Sequence, residues 1–294
     1  MLLVPAVIAG SALLVWSEPA AMGATLPRIA LLALFYLLYF VAFAAISLGV
    51  SARTRSSRTA LIYLLGFWIV NCLIAPRAAV DLSKRLDPTP SNFTFTSGID
   101  RDLHGDPEAV KKAEIFKAQV LKKFGVDSVE KLPVSFTGIS LQKGEEDGAV
   151  VFDRHYNELW DRFERQNRNQ QKSAVLAPLL AVRALSMALA GTDFEQHRHF
   201  ATEAERYRRF FIKLINEDIT KNAVSHPGGY TRGNDLWAQI PAFRYQAPEL
   251  HQVLGTQGWS IAILALWCGA GILFAAFSLR AIRPECDAGP DLTA

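Results

Sequence analysis

Apolar and charged positions are segregated along this chain. Four runs contain no Asp, Glu, Lys or Arg: Ile29–Val50 and Gly258–Leu279, each of 22 residues, Thr59–Ala75 of 17, and Met1–Trp16 of 16. A helix rising about 1.5 Å per residue needs about 20 residues to cross about 30 Å of hydrocarbon. The two longer runs therefore predict membrane helices. Thr59–Ala75, closed by Arg58 on one side and Pro76-Arg77 on the other, predicts a shorter one, and Met1–Trp16 a fourth. That first run has no Lys or Arg before it and so lacks the basic start of a signal peptide. It reads as the truncated start of a longer protein whose sequence opens inside, or at the edge of, a membrane helix, the alternative being a complete protein with a short first helix or an atypical signal sequence.

From residue 76 to 257 the spacing becomes that of amphipathic helices. Phe152, Tyr156, Leu159, Trp160 and Phe163 make one stripe, with Arg154, Glu158, Asp161, Glu164 and Arg165 mostly off it. A second helix is predicted from about Asp193 to Thr220, with Phe200, Tyr207, Phe211, Leu214 and Ile215 on one side and a dense polar face over Glu203–Arg209. A third covers Glu108–Phe124. Only Val134–Leu141 and Ala149–Phe152 suggest short strands. Ser173–Ala190 is apolar but contains Pro178 and a central Arg183, and a charge at the bilayer midplane costs at least ~2.5 kcal/mol. It is expected to be a buried or membrane-surface helix with Arg183 paired or turned to water; taken as a structural buried charge, Arg183 should on replacement by Ala cost expression or folding.

The predicted fold class is mainly α: a polytopic helical membrane protein of about four transmembrane helices, with a large, mostly helical domain inserted before the last. Charge sets its direction. The short loop 51–58 and the segment after residue 279 together hold Arg53, Arg55, Arg58, Arg280 and Arg283, whereas loop 17–27 holds no Lys or Arg. Basic residues concentrate in short cytoplasmic loops, which four spans satisfy and five do not. The expected organisation is membrane helices at about 1–16, 29–50 and 59–76 within residues 1–80, a cytoplasmic loop 51–58, an extracytoplasmic domain 81–257, a last helix 258–280 and a cytoplasmic tail 281–294. Arg53, Arg55 and Arg58 anchor this topology and are candidates for contact with a cytoplasmic partner.

Composition narrows the chemistry. Residues 81–257 contain 24 Lys+Arg and 24 Asp+Glu, so the domain is neutral and nucleic acid is not an expected partner. None of Cys72, Cys268 and Cys286 falls in that domain, which therefore cannot rest on a disulfide framework. No phosphate-binding loop, nucleophile elbow, zinc-protease motif or kinase signature is present, so ATP could act only through a partner subunit. Glu145-Glu146-Asp147 reads as a solvated turn or helix start. Asp193, Glu195, His197 and His199 invite a metal reading, but residues two apart on a helix face opposite ways, so His197 and His199 cannot share an ion. Asp193, His197 and His199 stay weak metal candidates beside a plainer reading, a polar helix start with acidic residues at its positive end.

Several strings carry a resemblance: Ser51-Ala-Arg-Thr-Arg-Ser-Ser-Arg-Thr-Ala after a span, Asp87-Pro-Thr-Pro-Ser, Leu132-Pro-Val-Ser-Phe-Thr-Gly-Ile-Ser-Leu-Gln, Phe152-Asp-Arg-His-Tyr, Leu176-Ala-Pro-Leu-Leu-Ala-Val-Arg-Ala-Leu-Ser-Met, Gly191-Thr-Asp-Phe-Glu-Gln-His-Arg-His-Phe, and Trp237 with Pro241-Ala-Phe-Arg-Tyr. Over nearly its whole length the chain resembles permease subunits of bacterial ATP-binding-cassette (ABC) transporters of the type-2 exporter class, in the multicopper-enzyme-maturation permease-like branch. The resemblance implies an inner-membrane subunit that is not itself an enzyme. It pairs with cytoplasmic ATPase subunits and a second permease chain, homo- or heterodimeric, and moves a substrate outward or acts on a target outside. Typical members have six spans, and the four seen here match their last four. The alternative is a membrane-anchored scaffold or sensor whose outer domain binds a partner.

Overall fold

The computed structural model describes residues 10, 12, 22–225 and 229–280. The helix expected over 1–16 and the tail 281–294, with Arg283 and Cys286, lie outside the described residues. In chain order the helices are α1 Met22–Arg53, α2 Ser57–Ile69, a π-helical turn Val70–Ile74, α3 Ala75–Leu86, α4 Asn92–His104, α5 Ala109–Phe124, α6 Phe136–Lys172, α7 Pro178–Ala190, α8 Phe194–Asn222, α9 Asn234–Trp237, α10 Leu250–Thr256 and α11 Gly258–Arg280. No strand occurs among the described residues. Of the strands expected over Val134–Leu141 and Ala149–Phe152, residues 136–141 and 149–152 are instead part of α6, which begins just after Val134 and Ser135 and runs for 37 residues. Glu145-Glu146-Asp147, expected at a turn or helix start, likewise sits in the middle of α6.

The described residues form two compact units, one of 22–86, 165–196 and 248–280, the other of 87–164 and 197–247. In the first, three helical stretches are long and apolar enough to cross a membrane: Gly23–Arg53, Ser57–Leu86 and Gly258–Arg280. α1 and α11 run parallel at close range. A Cβ added to Gly271 would lie 3.0 Å from the Ala42 carbonyl oxygen, and one added to Gly49 would strike the Phe274 ring. Small residues at such crossings let helices approach where burial from water offers no drive. The parallel order puts Arg53 and Arg280 at the same end, joined by Arg58 at the start of α2.

The third predicted helix is longer than its charge-free run. Pro76 lacks the N–H that would bond residue 72 and its ring crowds that carbonyl, which ordinarily kinks or ends a helix. Here the turn widens just before it: the Ala75 N–H bonds the Val70 carbonyl, and the buried Asn71 side-chain amide donates to the Phe67 carbonyl at 3.1 Å. The helix then continues to Leu86, as π-turns permit.

Residues 165–196 pack with the membrane helices rather than with 87–164 and 197–247, so the expected boundaries at 81 and 257 enclose a segment belonging to the other unit. Its α7 starts with Pro178 as first residue and ends at Gly191 in the left-handed region, where the Gly191 and Thr192 N–H groups close on the Ala188 and Met187 carbonyls. Leu180, Ala181, Val182, Leu185 and Leu189 form one core with Phe35 and Tyr39 of α1, Ala79 of α3, and Ile263 and Leu264 of α11. Arg28 donates to the Leu189 and Pro248 carbonyls, tying the end of α7 to α1. Arg183 corrects the expectation of a buried charge. It is exposed, because at about 100° per residue it falls opposite the arc centred on Leu185.

The second unit packs α6 against α8. The Ser135 N–H bonds the Thr220 carbonyl at 2.8 Å, and Asn216 donates to the Gln142 side chain at 3.2 Å. On another face of α8 the segment 237–245 returns antiparallel, through Trp237 against Phe211, Phe243 against Tyr207, and Tyr245 against Phe200. Tyr207 fixes it by donating to the Pro241 carbonyl at 2.9 Å.

Candidate functional site

Between α6 and α8, within the second unit, lies a cleft of about 950 Å³. α6 supplies its aromatic wall. Phe152, Tyr156 and Trp160 recur at helical spacing and line it, Phe152 and Tyr156 remaining 40% and 43% exposed. The sequence pattern shows this stripe as one side of an amphipathic helix; the surface opposite is the polar face of α8, which leaves it partly exposed. α8 supplies Arg198, Glu205, Arg206, Arg208 and Arg209, and α6 adds Glu145 and Asp153.

These charges are tied together. Arg209 makes a fork on Asp153 at 2.5 and 2.9 Å and bonds Glu205 at 2.8 Å. Arg208 reaches Glu205 at 2.8 Å and Glu145 at 3.1 Å. Arg206 pairs with Glu203, and Arg198 with Glu164 at 3.0 Å. The hydrogen bond from Arg208, then that from Arg209, holds the Glu205 carboxyl below the usual carboxylate range, and Asp153 and Glu205 push Arg209 up. A carboxylate locked ionised by two guanidiniums is poorly placed to exchange protons near neutral pH, so this chemistry favours binding over acid–base catalysis. An aromatic wall facing fixed, paired charges suits an amphipathic partner.

A second cluster joins α4 to α6. Asp102 accepts from His155 at 2.8 Å and from Arg154, and the His155 bond, followed by the charge of Arg154, lowers the Asp102 pKa. Arg101 adds a weaker positive field. A carboxylate with a depressed folded pKa contributes stability above its unfolded pKa and loses it as pH falls through the folded one. The Asp102 carboxyl should therefore titrate below an ordinary aspartate in a ¹³C NMR titration, and His155→Ala should move its midpoint upward.

The metal candidates are separately engaged. Asp193 caps α8, accepting from the Gln196 N–H at 3.0 Å. His197 meets the Trp160 ring edge-on, and His199 lies 3.2 Å from the Tyr245 hydroxyl. Among the described residues no group of three or more His, Cys, Asp or Glu side chains is placed to hold a metal ion. Arg53, Arg55 and Arg58 are all exposed around the turn between α1 and α2. The cleft itself was legible only in part: the polar face over Glu203–Arg209 is visible in the sequence, but the helix it faces is not.

Residues 93–246, just over half of the chain, match the family model "Domain of unknown function (DUF3526)". The chain belongs to the DUF3526 family. Residues 1–104 match the model of the ABC-2 family transporter protein, so the DUF3526 segment follows an ABC-2 transporter membrane portion. With its apolar helices this makes a multi-pass membrane protein of the ABC transporter permease type. No curated protein and no solved structure gives a significant match. The DUF3526 match holds nearly all of the second unit and also takes in 165–196, which folds with the membrane helices.

Proposed function

We propose that the chain is the transmembrane permease subunit of an ABC export system in the bacterial inner membrane. The observation that carries this reading is the ABC-2 transporter match over residues 1–104, falling on two apolar helices joined by the loop that holds Arg53, Arg55 and Arg58. Separate ATPase subunits bind ATP and dock on the cytoplasmic loop 51–58, where Arg53, Arg55 and Arg58 offer exposed positive charge. A second permease chain, homo- or heterodimeric, completes the unit, with membrane lipid around it. Residues 81–257 lie mainly outside the cytoplasm, and their α6–α8 cleft receives the substrate or an extracytoplasmic partner.

Expression of the tagged chain with its genomic neighbours tests the reading. An ATPase subunit should co-purify and hydrolyse ATP, and Arg53→Glu/Arg55→Glu/Arg58→Glu should reduce its recovery at least tenfold while the permease still reaches the membrane. Full recovery with the triple variant removes the loop from the interface. Absence of any ATPase leaves the scaffold reading, for which the cleft is the specific structural support.

A further inference from the structure

The charges of the α6–α8 cleft are committed to one another, and that restricts what it can hold. Each of the four guanidiniums lining it, those of Arg198, Arg206, Arg208 and Arg209, is in an ion pair within the protein. The carboxylates that pair them outnumber them: Glu145, Asp153 and Glu205 on the lining, and Asp161, Glu164 and Glu203 beside it. An anionic ligand would have to displace a seated carboxylate, and a cationic one would meet carboxylates already held by guanidiniums. Either would leave a charge without its partner, which is strongly unfavourable.

Hydrogen-bonding capacity of both signs is left over. Arg208 and Arg209 each direct three N–H groups at carboxylates, and a guanidinium has further donors. The Tyr156 hydroxyl and the Asn157 amide, both on the lining, bond no described residue. The Thr202 hydroxyl donates to the Arg198 carbonyl at 2.9 Å and keeps its lone pairs. Neutral hydroxyl groups, which donate and accept at once, match such a wall.

The other wall is apolar and partly open. Phe152, Tyr156 and Trp160 span about 12 Å of α6, and the trough continues past Gly144 and Gly148 to about 24 Å, at about 1.5 Å per residue. A Cβ on Gly144 would meet nothing within 4 Å. The occupant is thus long, with an apolar side toward α6 and uncharged polar groups toward α8. An acyl chain would leave the ion pairs desolvated and unanswered. An extended peptide adds to a strand edge, and no strand occurs among the described residues. An amphipathic helix needs a hydrophobic groove, and here one wall is ionic. A chain of sugar rings meets both demands, since each ring has a C–H face that lies on an aromatic side chain and a rim of hydroxyls.

We propose that the α6–α8 cleft binds a linear, uncharged oligosaccharide, its ring faces on Phe152, Tyr156 and Trp160 and its hydroxyls on Asn157 and the spare positions of the α8 wall. This rests on the reading that the cleft receives an outer ligand, and it names the class of that ligand.

The full chain, purified in a detergent without a sugar headgroup, tests it on an immobilised panel of linear glucans, mannans, xylans and N-acetylglucosamine oligomers beside uronate-containing and sulfated chains. Neutral members should bind and anionic ones should not. Against the tightest binder, Phe152→Leu should lose at least about tenfold in affinity while Phe152→Tyr stays within about twofold of the parent, because a flat ring and not apolarity alone is required. Asn157→Ala, at an exposed position that holds nothing in the fold, should also weaken binding. A panel with no binder, a preference for anionic chains, or unchanged affinity in Phe152→Leu and Asn157→Ala overturns the proposal. Co-purification of an ATPase subunit is scored on the same preparations. An ATPase without glycan binding removes the ligand and leaves the permease reading, and glycan binding without an ATPase does the reverse.

Discussion

Gly138→Val should unfold the α6–α8 unit, or cost it about 3 kcal/mol or more, the upper range for forcing extra atoms into a packed site. A Cβ at this position would lie 2.5 Å from the Thr220 backbone nitrogen and 2.7 Å from its Cα. Neither atom belongs to a side chain that can rotate away. The crossing is also held by the Ser135–Thr220 backbone bond and by Asn216 to Gln142, so separating the helices breaks those as well. Thermal melting and limited proteolysis of the whole chain in detergent would register the effect. A melting temperature within a degree of the parent would mean that α6 and α8 do not cross at this distance. Gly144→Ala, in the same helix with open space beside it, is the control and should be harmless or slightly stabilising.

Leu185→Ala is the second large effect. Leu185 is 1% exposed at the centre of the core that joins α7 to α1, α3 and α11. Removing three carbons there leaves a cavity, at a cost of about 2–5 kcal/mol. Lipid does not cancel this cost, because the cavity lies between helices and lost contact, not exposure to water, sets it. Arg183→Ala, two residues away, should change stability by no more than about 0.5 kcal/mol, as at other exposed positions. The pair discriminates sharply: equal losses would mean that Arg183 and Leu185 are packed alike. The sequence-based expectation of lost expression for Arg183→Ala is thereby reversed, since a charge turned away from its neighbours leaves nothing unpaired when removed.

The contrast at these two residues shows what one-dimensional pattern conveys. Periodicity identifies α8, expected from Asp193 to Thr220 and found over Phe194–Asn222, because its apolar face and acidic start are local signals. It misreads Val134–Leu141 and Ala149–Phe152, where β-branched residues suggest strands but the surrounding helix dominates. It stops at Pro76, because no sequence rule announces that a π-turn will absorb the proline. The cleft escapes it more completely. Phe152, Tyr156 and Trp160 are only a helical stripe until α8 presents Glu205, Arg208 and Arg209 beside them, and Asp153 has no visible role until Arg209 closes on it from 56 residues away. Likewise nothing near Asp102 along the chain announces His155, 53 residues distant.

What the sequence determined by itself was the class of molecule and the presence of the three apolar helices found among the described residues. Length, apolarity and the absence of charge are properties of continuous segments, and hydrocarbon imposes the same demand on each segment wherever its neighbours lie. The tertiary structure decided everything that depends on two segments meeting: that 165–196 joins the membrane helices instead of the domain enclosing it, that Arg183 faces outward, and that a stripe of aromatic residues lines a cleft. A residue's exposure is fixed by what packs over it. For these residues that partner comes from dozens of positions away, through a geometry that no local periodicity encodes.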